Sequence, residues 1–198
     1  MSSPSDAAGV RIGMWLFLYT EIILFGGLFV LYAAYLHEYA KDFFEGGKEL
    51  NRTFGTVNTV ILLVSSFTVA ASITAIRQRQ KKLCLSLLAF SLGCGLVFLI
   101  NKYFEWSHKI AHGIYPNSPL LEDGPHGRTI FFGLYYVITG LHGLHVIIGM
   151  TLLAISYWWV KVNRVTEKNF ALLENSGLYW HLVDLIWIFV FPLFYLIL

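Results

Sequence analysis

The sequence predicts an all-α membrane protein, a polytopic bundle of five transmembrane helices that forms one domain over residues 1–198. Hydrophobic residues make up 57% of the chain and charged residues only 13%, whereas a soluble domain carries about 25% charged residues. The mean hydropathy is +0.63. Five apolar runs each reach the length of about 20 residues that a membrane-spanning helix needs, which excludes a soluble globular fold.

The predicted spans follow a polar N-terminal tail, residues 1–11, which we expect to be short and loosely ordered. Polar connections separate the spans, and two of them carry helix breakers: Gly46 with Gly47, and the segment from Pro116 to Pro125. These connections belong at the membrane surfaces, because unpaired backbone groups cannot face lipid. The predicted spans are residues 12–36, 56–76, 83–103, 130–158 and 177–198.

Basic residues predict the orientation of the bundle. Eight lysine and arginine residues, beginning with Arg11, fall on the side of the N-terminus and six fall on the opposite side. The cluster at residues 77–82 in the short second loop decides the balance, because cytoplasmic loops carry an excess of Lys and Arg. We therefore expect a cytoplasmic N-terminus and a C-terminus outside. The net charge of +2 includes no basic stripe of the kind that binds nucleic acid.

Two acids lie inside the predicted spans. Glu21 falls in the first span and Asp184 in the fifth, roughly 14 Å and 11 Å from the side of the N-terminus at the rise of an α-helix. A charge at the centre of a membrane helix costs about 2.5–3.5 kcal/mol, so such residues are kept where they face a bundle interior. Each acid is therefore either a protonatable group tied to proton movement or lipid recognition, or a hydrogen-bonded group that locks two helices together.

Three histidines also lie inside the spans. His142 and His145 are three residues apart, so they share one helix face. They could ligate haem or a metal, or they could hydrogen-bond across helices; without a second dense histidine motif we favour the hydrogen bonds. His181 and Asp184 have the same spacing. A stripe at i, i+4 and i+7 passes through that aspartate, formed by Trp180, Asp184 and Trp187; we expect Asp184 to fix a histidine or an indole N–H.

Polar residues crowd the end of the third span. Lys102 and Glu105, and Glu105 and Lys109, have the spacing of helical ion pairs, which satisfies the glutamate without any chemistry. Glu105 and His108 match one half of a di-iron carboxylate motif, and one copy is far from the set required. The chain has no phosphate-binding loop, dinucleotide motif, nucleophile elbow or paired-cysteine motif. The sequence therefore predicts no catalytic residues and no metal ligands.

Five segments, in order and covering residues 11–198, resemble subunit III of the haem–copper respiratory oxidases. The first is similar to the helix that carries the buried, carbodiimide-reactive glutamate of that family, here Glu21. The last carries Glu174, His181 and Asp184 in the family pattern, and the third carries Glu105. The segments are GMWLFLYTEIILFGGLFVLYAAYL, NTVILLVSS, FLINKYFEWSHKIAHGI, FFGLYYVITGLHGLHVIIG and ENSGLYWHLVDLIWIFVFPLFYL.

The resemblance implies a non-catalytic subunit without haem or copper of its own, because subunits I and II hold the redox centres in that family. It implies a chain in a bacterial inner membrane that packs mainly against subunit I, contacts subunit II or other respiratory subunits, and binds phospholipid. Such a subunit supports proton uptake and stability during turnover. By this resemblance Glu21 is the buried acid, with His142 and His145 nearby. The polar network expected between helices consists of His142, His145, His181, Glu105 and Glu174, and Arg77 and Arg79 are expected to meet lipid phosphates.

One departure leaves alternatives open. The mitochondrial type has seven helices, and the two that precede this region are absent from the sequence, so the lipid cleft is either shared between chains or reduced. Glu21 in its TEI context favours the cytochrome c oxidases over the alternatives, a quinol-oxidase subunit III or an accessory protein of nitric oxide reductase. From other classes, a haem b electron carrier would use His142, His145 or His181, and a stand-alone transporter would use Glu21 and Asp184.

Overall fold

A computed structural model describes residues 4–196, with side chains throughout except at residues 4–8, 11, 120 and 122. Five helices in this range are long and apolar enough to cross a membrane, as the sequence predicts. The fifth of these spans includes a wide turn, Pro192–Leu196, that continues the last helix. The helices are α1 (Pro4–Glu38), α2 (Ala40–Lys48), α3 (Arg52–Arg77), α4 (Lys81–Ala111), α5 (Pro119–Glu122), α6 (His126–Lys161) and α7 (Ala171–Phe191).

The helices extend beyond the predicted spans. Hydropathy marks the part of a helix that lies in hydrocarbon, whereas backbone hydrogen bonds continue into the interface wherever polar side chains tolerate them. The two largest differences are equal: α1 begins at Pro4, and α4 continues to Ala111. Over residues 4–11 the prediction of a loosely ordered tail is therefore wrong; residues 1–3 and the side chain of Arg11, counted for the orientation, lie outside the description.

The core is built where α7 meets α3 and α6, with α4 packed along α3 and α6. Trp180 of α7 is fully buried at this junction. A Cβ on Gly149 of α6 would lie 2.8 Å from Cε3 of this indole, and a Cβ on Gly95 of α4 would lie 3.0 Å from its Cη2. The two glycines therefore make room for the ring, in the way that small residues allow close helix packing in membranes.

Helix α1 lies at the edge of the bundle and packs against α6, α7 and α2. Its outward face exposes large apolar side chains, with Leu16 62% exposed and Val30 71% exposed. No atom of another helix lies within 4 Å of a Cβ placed on Gly26 or Gly27. This face is therefore available to lipid or to another protein chain.

We call the membrane side on which α1 begins the N side and the opposite one the C side. The wide turn Pro192–Leu196 lies on the C side, at the end of α7. Proline has no N–H to donate to the preceding turn, and π-helical turns of this kind are frequent at functional sites. The carbonyl of Leu193 accepts a hydrogen bond from the Tyr32 hydroxyl at 2.6 Å, so the turn ties α7 to α1.

Candidate functional site

Glu21 and His145 form an ion pair or hydrogen-bonded pair between α1 and α6. Nε2 of His145 lies 2.8 Å from Oε2 of Glu21, with the two side chains 9% and 13% exposed. The other ring nitrogen, Nδ1, lies 2.7 Å from the carbonyl oxygen of Leu141. Because that carbonyl can only accept, Nδ1 carries a proton. A single further proton is thus shared between imidazole and carboxyl.

Aromatic rings enclose this pair. Phe25 of α1 meets the imidazole edge-on, with ring centres 5.2 Å apart. Tyr179 of α7 stacks on the other side, with ring centres 6.5 Å apart. Apolar surroundings raise the cost of charge separation, and the shared proton allows the pair to remain neutral as Glu–COOH with imidazole.

Asp184 lies on α7 and is 3% exposed. Neither of its carboxyl oxygens has a hydrogen-bond partner among the described residues. The Ser66 hydroxyl lies beside the carboxyl and shares a hydrogen bond with Nδ1 of His181 at 2.6 Å, in which either atom can be the donor. The expectation that Asp184 fixes His181 is therefore wrong.

The two indoles of the same stripe bind helix α3 instead of Asp184. Trp180 donates its N–H to the Ser65 hydroxyl at 2.9 Å, and Trp187 donates to Oγ1 of Thr59 at 3.0 Å. The sequence places the indoles and the aspartate along one helix, but the hydroxyls that face the indoles belong to another. The expected indole–aspartate bonds are replaced by bonds that hold α7 to α3.

His142 is fully buried and joins no hydrogen-bonded network within the described part of the chain. Neither ring nitrogen has a partner among the described residues, which corrects its inclusion in the predicted polar network. Its ring lies between Phe98 and Trp187, with ring centres 5.5 Å and 5.0 Å away. His142 and His145 share a face of α6, but the Glu21 carboxyl of α1 pairs with His145.

Glu105 sits in a polar cluster that the sequence reveals only in part. Its Oε2 accepts from Nζ of Lys102 at 2.9 Å, and its Oε1 accepts from the hydroxyls of Tyr135 and Tyr195 at 2.9 Å and 2.6 Å. The lysine also donates to the same hydroxyls, at 3.2 Å and 3.1 Å. All three ammonium protons therefore have acceptors, and the buried charges are fully paired.

Sequence reasoning missed both tyrosines, and it missed the burial of the ion pair. A signal for the burial exists in α4, because its buried residues recur with a period near 3.5 and the charged residues continue that period. The expected pair of Glu105 with Lys109 does not form, since the Lys109 ammonium donates to the carbonyl oxygen of Glu49 at 3.1 Å. The buried face of α4 consists of Cys84, Leu88, Ser91, Gly95, Phe98, Lys102, Glu105 and Lys109.

On the N side, two arginines of the α3–α4 loop region have acidic partners. Arg77 forms an ion pair with Glu174 of α7, and Nε of Arg79 lies 3.5 Å from Oε1 of Glu167. A cavity of about 490 Å³ opens here, lined in part by Trp15, Arg77 and His181. Its rim carries Arg77 and Glu174 as an ion pair, and its walls are mostly apolar.

Among the residues that the structure describes, no group of three His, Cys, Asp or Glu side chains lies together as a metal-binding set. The three histidines considered as haem ligands have separate surroundings. His145 faces Glu21, His181 faces Ser66, and His142 is packed between aromatic rings.

Comparison with known proteins gives a consistent result. The chain matches the family described as cytochrome c oxidase subunit III over residues 3–197. A cytochrome bo(3) ubiquinol oxidase subunit 3 of Pseudomonas aeruginosa is 30% identical, over 96% of this chain and 87% of that protein. A cytochrome c oxidase subunit 3 of Lachancea kluyveri is 32% identical, over 94% of this chain and 67% of that protein.

A third relative, a heme-copper oxidase subunit I+III of Aeropyrum pernix, is 31% identical over 98% of this chain and 23% of that longer protein. The matches extend over nearly the whole chain and include all five spans. The chain therefore belongs to the subunit III family of the haem–copper oxidases, as a multi-pass membrane subunit of an oxidoreductase complex that it forms with other oxidase subunits.

Proposed function

We propose that this chain is a subunit III without a redox centre or catalytic site of its own, and that it supports proton uptake and turnover stability in a proton-pumping terminal oxidase. Haem and copper belong to the partner subunits. The observation that carries the proposal is the Glu21–His145 pair, which holds one shared proton between two helices inside the membrane. A carboxyl in that arrangement can pass its proton to the histidine and take it back while the pair as a whole stays neutral.

Glu21→Gln tests the proposal, because glutamine keeps the size and hydrogen bond of the side chain but cannot exchange a proton. We expect the variant complex to assemble, and either to take up protons more slowly or to lose activity sooner during turnover. The matched control is Glu38→Gln, at the exposed end of the same helix. Unchanged activity and unchanged durability of the Glu21 variant would assign that residue a structural role.

Asp184 is proposed as a second proton-linked acid. In support, its carboxyl is buried without a hydrogen-bond partner among the described residues, and His181 links the neighbouring Ser66 to the N-side cavity. Apolar surroundings disfavour the charged form of a carboxyl and so favour its protonated, neutral form. Asp184 would then act as a second site that can hold a proton, and loss of function in a well-assembled Asp184→Asn complex would support this role.

Subunit I is the proposed main contact, with subunit II or other respiratory subunits beyond it. The relative from Aeropyrum pernix is one polypeptide whose name combines subunit I with subunit III. The exposed apolar face of α1 leaves ample surface for such contact. Purification through this chain tests the assignment. A haem-containing core should be recovered together with the chain, and the same procedure applied to a strain that lacks the chain should recover no such core.

Phospholipid is proposed to bind in the N-side cavity, with Arg77 and Arg79 at its phosphate. The Arg77 side chain is 54% exposed although it pairs with Glu174, so its guanidinium can also reach a headgroup. Trp15 lies at the same cavity, and tryptophan is enriched at membrane interfaces. Loss of a co-purifying lipid in Arg77→Gln would support the assignment, and an unchanged lipid inventory would oppose it.

The proposed location is a bacterial inner membrane with the N side cytoplasmic. The two loops on that side are joined by Lys81, whose ammonium donates to the Lys161 carbonyl and to Oδ1 of Asn163 at 2.8 Å and 2.6 Å. A cysteine introduced at Asn163 should resist an impermeant maleimide in intact cells, whereas a cysteine at Asn117 should react.

Cytochrome c is the proposed electron donor, and quinol is the alternative. The TEI context of Glu21 supports cytochrome c, whereas relatives named for either donor are about equally similar to the chain. Activity assays of the purified complex distinguish the two donors, because the complex will oxidise either reduced cytochrome c or a short-chain quinol at a substantial rate. A nitric oxide reductase would instead turn over nitric oxide.

A further inference from the structure

A second cavity lies on the C side, at the opposite end of the bundle from Arg77. Its volume is about 860 Å³, and it opens between the α2–α3 connection and the last turns of α4. Residues from three elements form it, so it is a feature of the tertiary fold. Those that matter to its chemistry are Lys48, Asn51, Phe54, Phe104, His108 and Lys109.

Lys109 supplies a buried cation at this cavity. The residue is 5% exposed, and the described residues offer its ammonium one hydrogen-bond acceptor, the Glu49 carbonyl at 3.1 Å. An ammonium group has three protons to donate. Its other neighbours are the rings of Phe132 and Tyr135, with centres 5.7 Å and 5.8 Å from Nζ. A buried cation with unused donors favours an anion beside it.

Two acids, Glu49 and Glu105, also line the cavity and act on Lys109 at a distance, but each is paired directly with another cation. Glu49 binds Arg128, with Oε1 lying 2.8 Å from the guanidinium nitrogen Nη2. Glu105 already accepts from Lys102 and two tyrosines. Lys48 adds positive charge at the rim, with its ammonium 4.3 Å from the centre of the Phe44 ring. The cavity therefore has a surplus of positive charge.

The start of α3 adds to this surplus. Asn51 caps the helix by accepting from the backbone N–H of Thr53 at 3.0 Å, and Asn51 and Phe54 both line the cavity. The N-terminus of a long helix carries a partial positive charge and favours anions. Combined with the buried ammonium, it marks one end of the cavity as a place for an anionic group.

The remaining wall is apolar and faces the membrane. Phe54 is 37% exposed and Phe104 is 60% exposed, although both line the cavity. Both lie within spans that are apolar enough to cross a membrane, near the ends on the C side. A ligand that fits must be charged at one end and hydrocarbon at the other.

We propose that this cavity binds an anionic phospholipid of the C-side leaflet. Its phosphate would lie against Lys109 and Lys48, and an acyl chain would run along Phe54 and Phe104. The site is separate from the N-side cavity, and it does not depend on the role assigned to Glu21. Bound lipid would fasten the α2–α3 connection to the end of α4.

The test uses the intact oxidase complex in phosphatidylcholine nanodiscs that contain a small fraction of phosphatidylglycerol with a photoreactive acyl chain. Adducts are mapped on peptides by mass spectrometry. We expect them on the peptides that contain residues 48–54 and 103–109. Lys109→Gln should lower this labelling about fivefold, the factor expected for one lysine at an anionic membrane surface.

Lys48→Gln is a second variant, which should fold even if the buried substitution Lys109→Gln does not. It should also lower the labelling. The matched control is Lys168→Gln, an exposed lysine on the N side, which should leave the adducts unchanged. Equal labelling by a phosphatidylcholine analogue, adducts spread evenly over the lipid-facing helices, or displacement by inorganic phosphate would each overturn the proposal.

Discussion

The hydroxyl of Tyr195 donates to Oε1 of Glu105 at 2.6 Å, although 90 residues separate the two in the sequence. Tyr195 belongs to the wide turn Pro192–Leu196 after α7, and this turn brings its phenol to the buried face of α4. It joins the end of the last helix to the middle of the chain. The cluster around Glu105 is thus a polar connection among α4, α6 and α7.

Tyr195→Phe removes this donor and also an acceptor for Lys102. We expect a loss of about 1.5–3 kcal/mol of stability, the range for a hydrogen bond to a charged group. The measurement is the temperature at which the subunit unfolds or leaves the purified complex. Tyr103→Phe is the control, because Tyr103 is 70% exposed, and an equal shift in both variants would contradict the prediction.

Lys102→Met leaves the Glu105 carboxylate buried without its counter-charge. Breaking a buried ion pair in this way costs about 3–5 kcal/mol, so we expect the variant subunit to be lost from the complex or to unfold at a much lower temperature. Adding Glu105→Gln should recover much of the loss. A double-mutant cycle measures the coupling, and additive effects would show that the pair is not coupled.

Gly149→Ala tests the packing of α6 against Trp180. The new methyl carbon would lie 2.8 Å from the indole, and overpacking of this kind costs about 1–3 kcal/mol. A Cβ at Gly143 on the same helix would meet no neighbouring atom within 4 Å. Gly143→Ala should therefore be neutral or slightly stabilising, because alanine has a higher helix propensity than glycine. Thermal stability of the two complexes separates the cases, and equal behaviour would refute the packing account.

Asp184→Leu replaces an unpartnered buried carboxyl with an apolar side chain of similar volume. An unsatisfied buried polar group costs about 1–3 kcal/mol, so we expect the variant to be at least as stable as the natural chain. The proposed proton-linked role predicts slower or less durable turnover in the same variant. A marked fall in stability would instead reveal a partner for Asp184 within the complete oxidase.

The architecture could be predicted from the sequence because hydropathy depends on local composition. All five spans appear in their predicted places. The nearness of His145 to Glu21 was expected only from the family resemblance, and their direct pairing was not predicted. Partner identity within the bundle was harder to predict. The serine and threonine of α3 that bind Trp180 and Trp187 are selected by the crossing of α3 and α7, which no local pattern encodes.

Tyr195 illustrates a second limit. Its direction depends on the number of residues in the turn after Pro192, and a regular α-helix would point the phenol elsewhere. Lys102 was predicted to pair with Glu105 from their spacing along α4, but that spacing gives no information on the helices that cover the pair. Tertiary contacts decide both cases.

The pairing of Glu21 with His145 has a consequence for the synthesis of the chain. The two residues are 124 positions apart, so at about 5–20 residues per second the ribosome adds the histidine roughly 6–25 s after the glutamate. During that interval the first helix enters the bilayer with its acid unmatched, and the neutral, protonated form is the cheaper one to insert. The arrival of α6 therefore determines when this acid first has a partner inside the membrane.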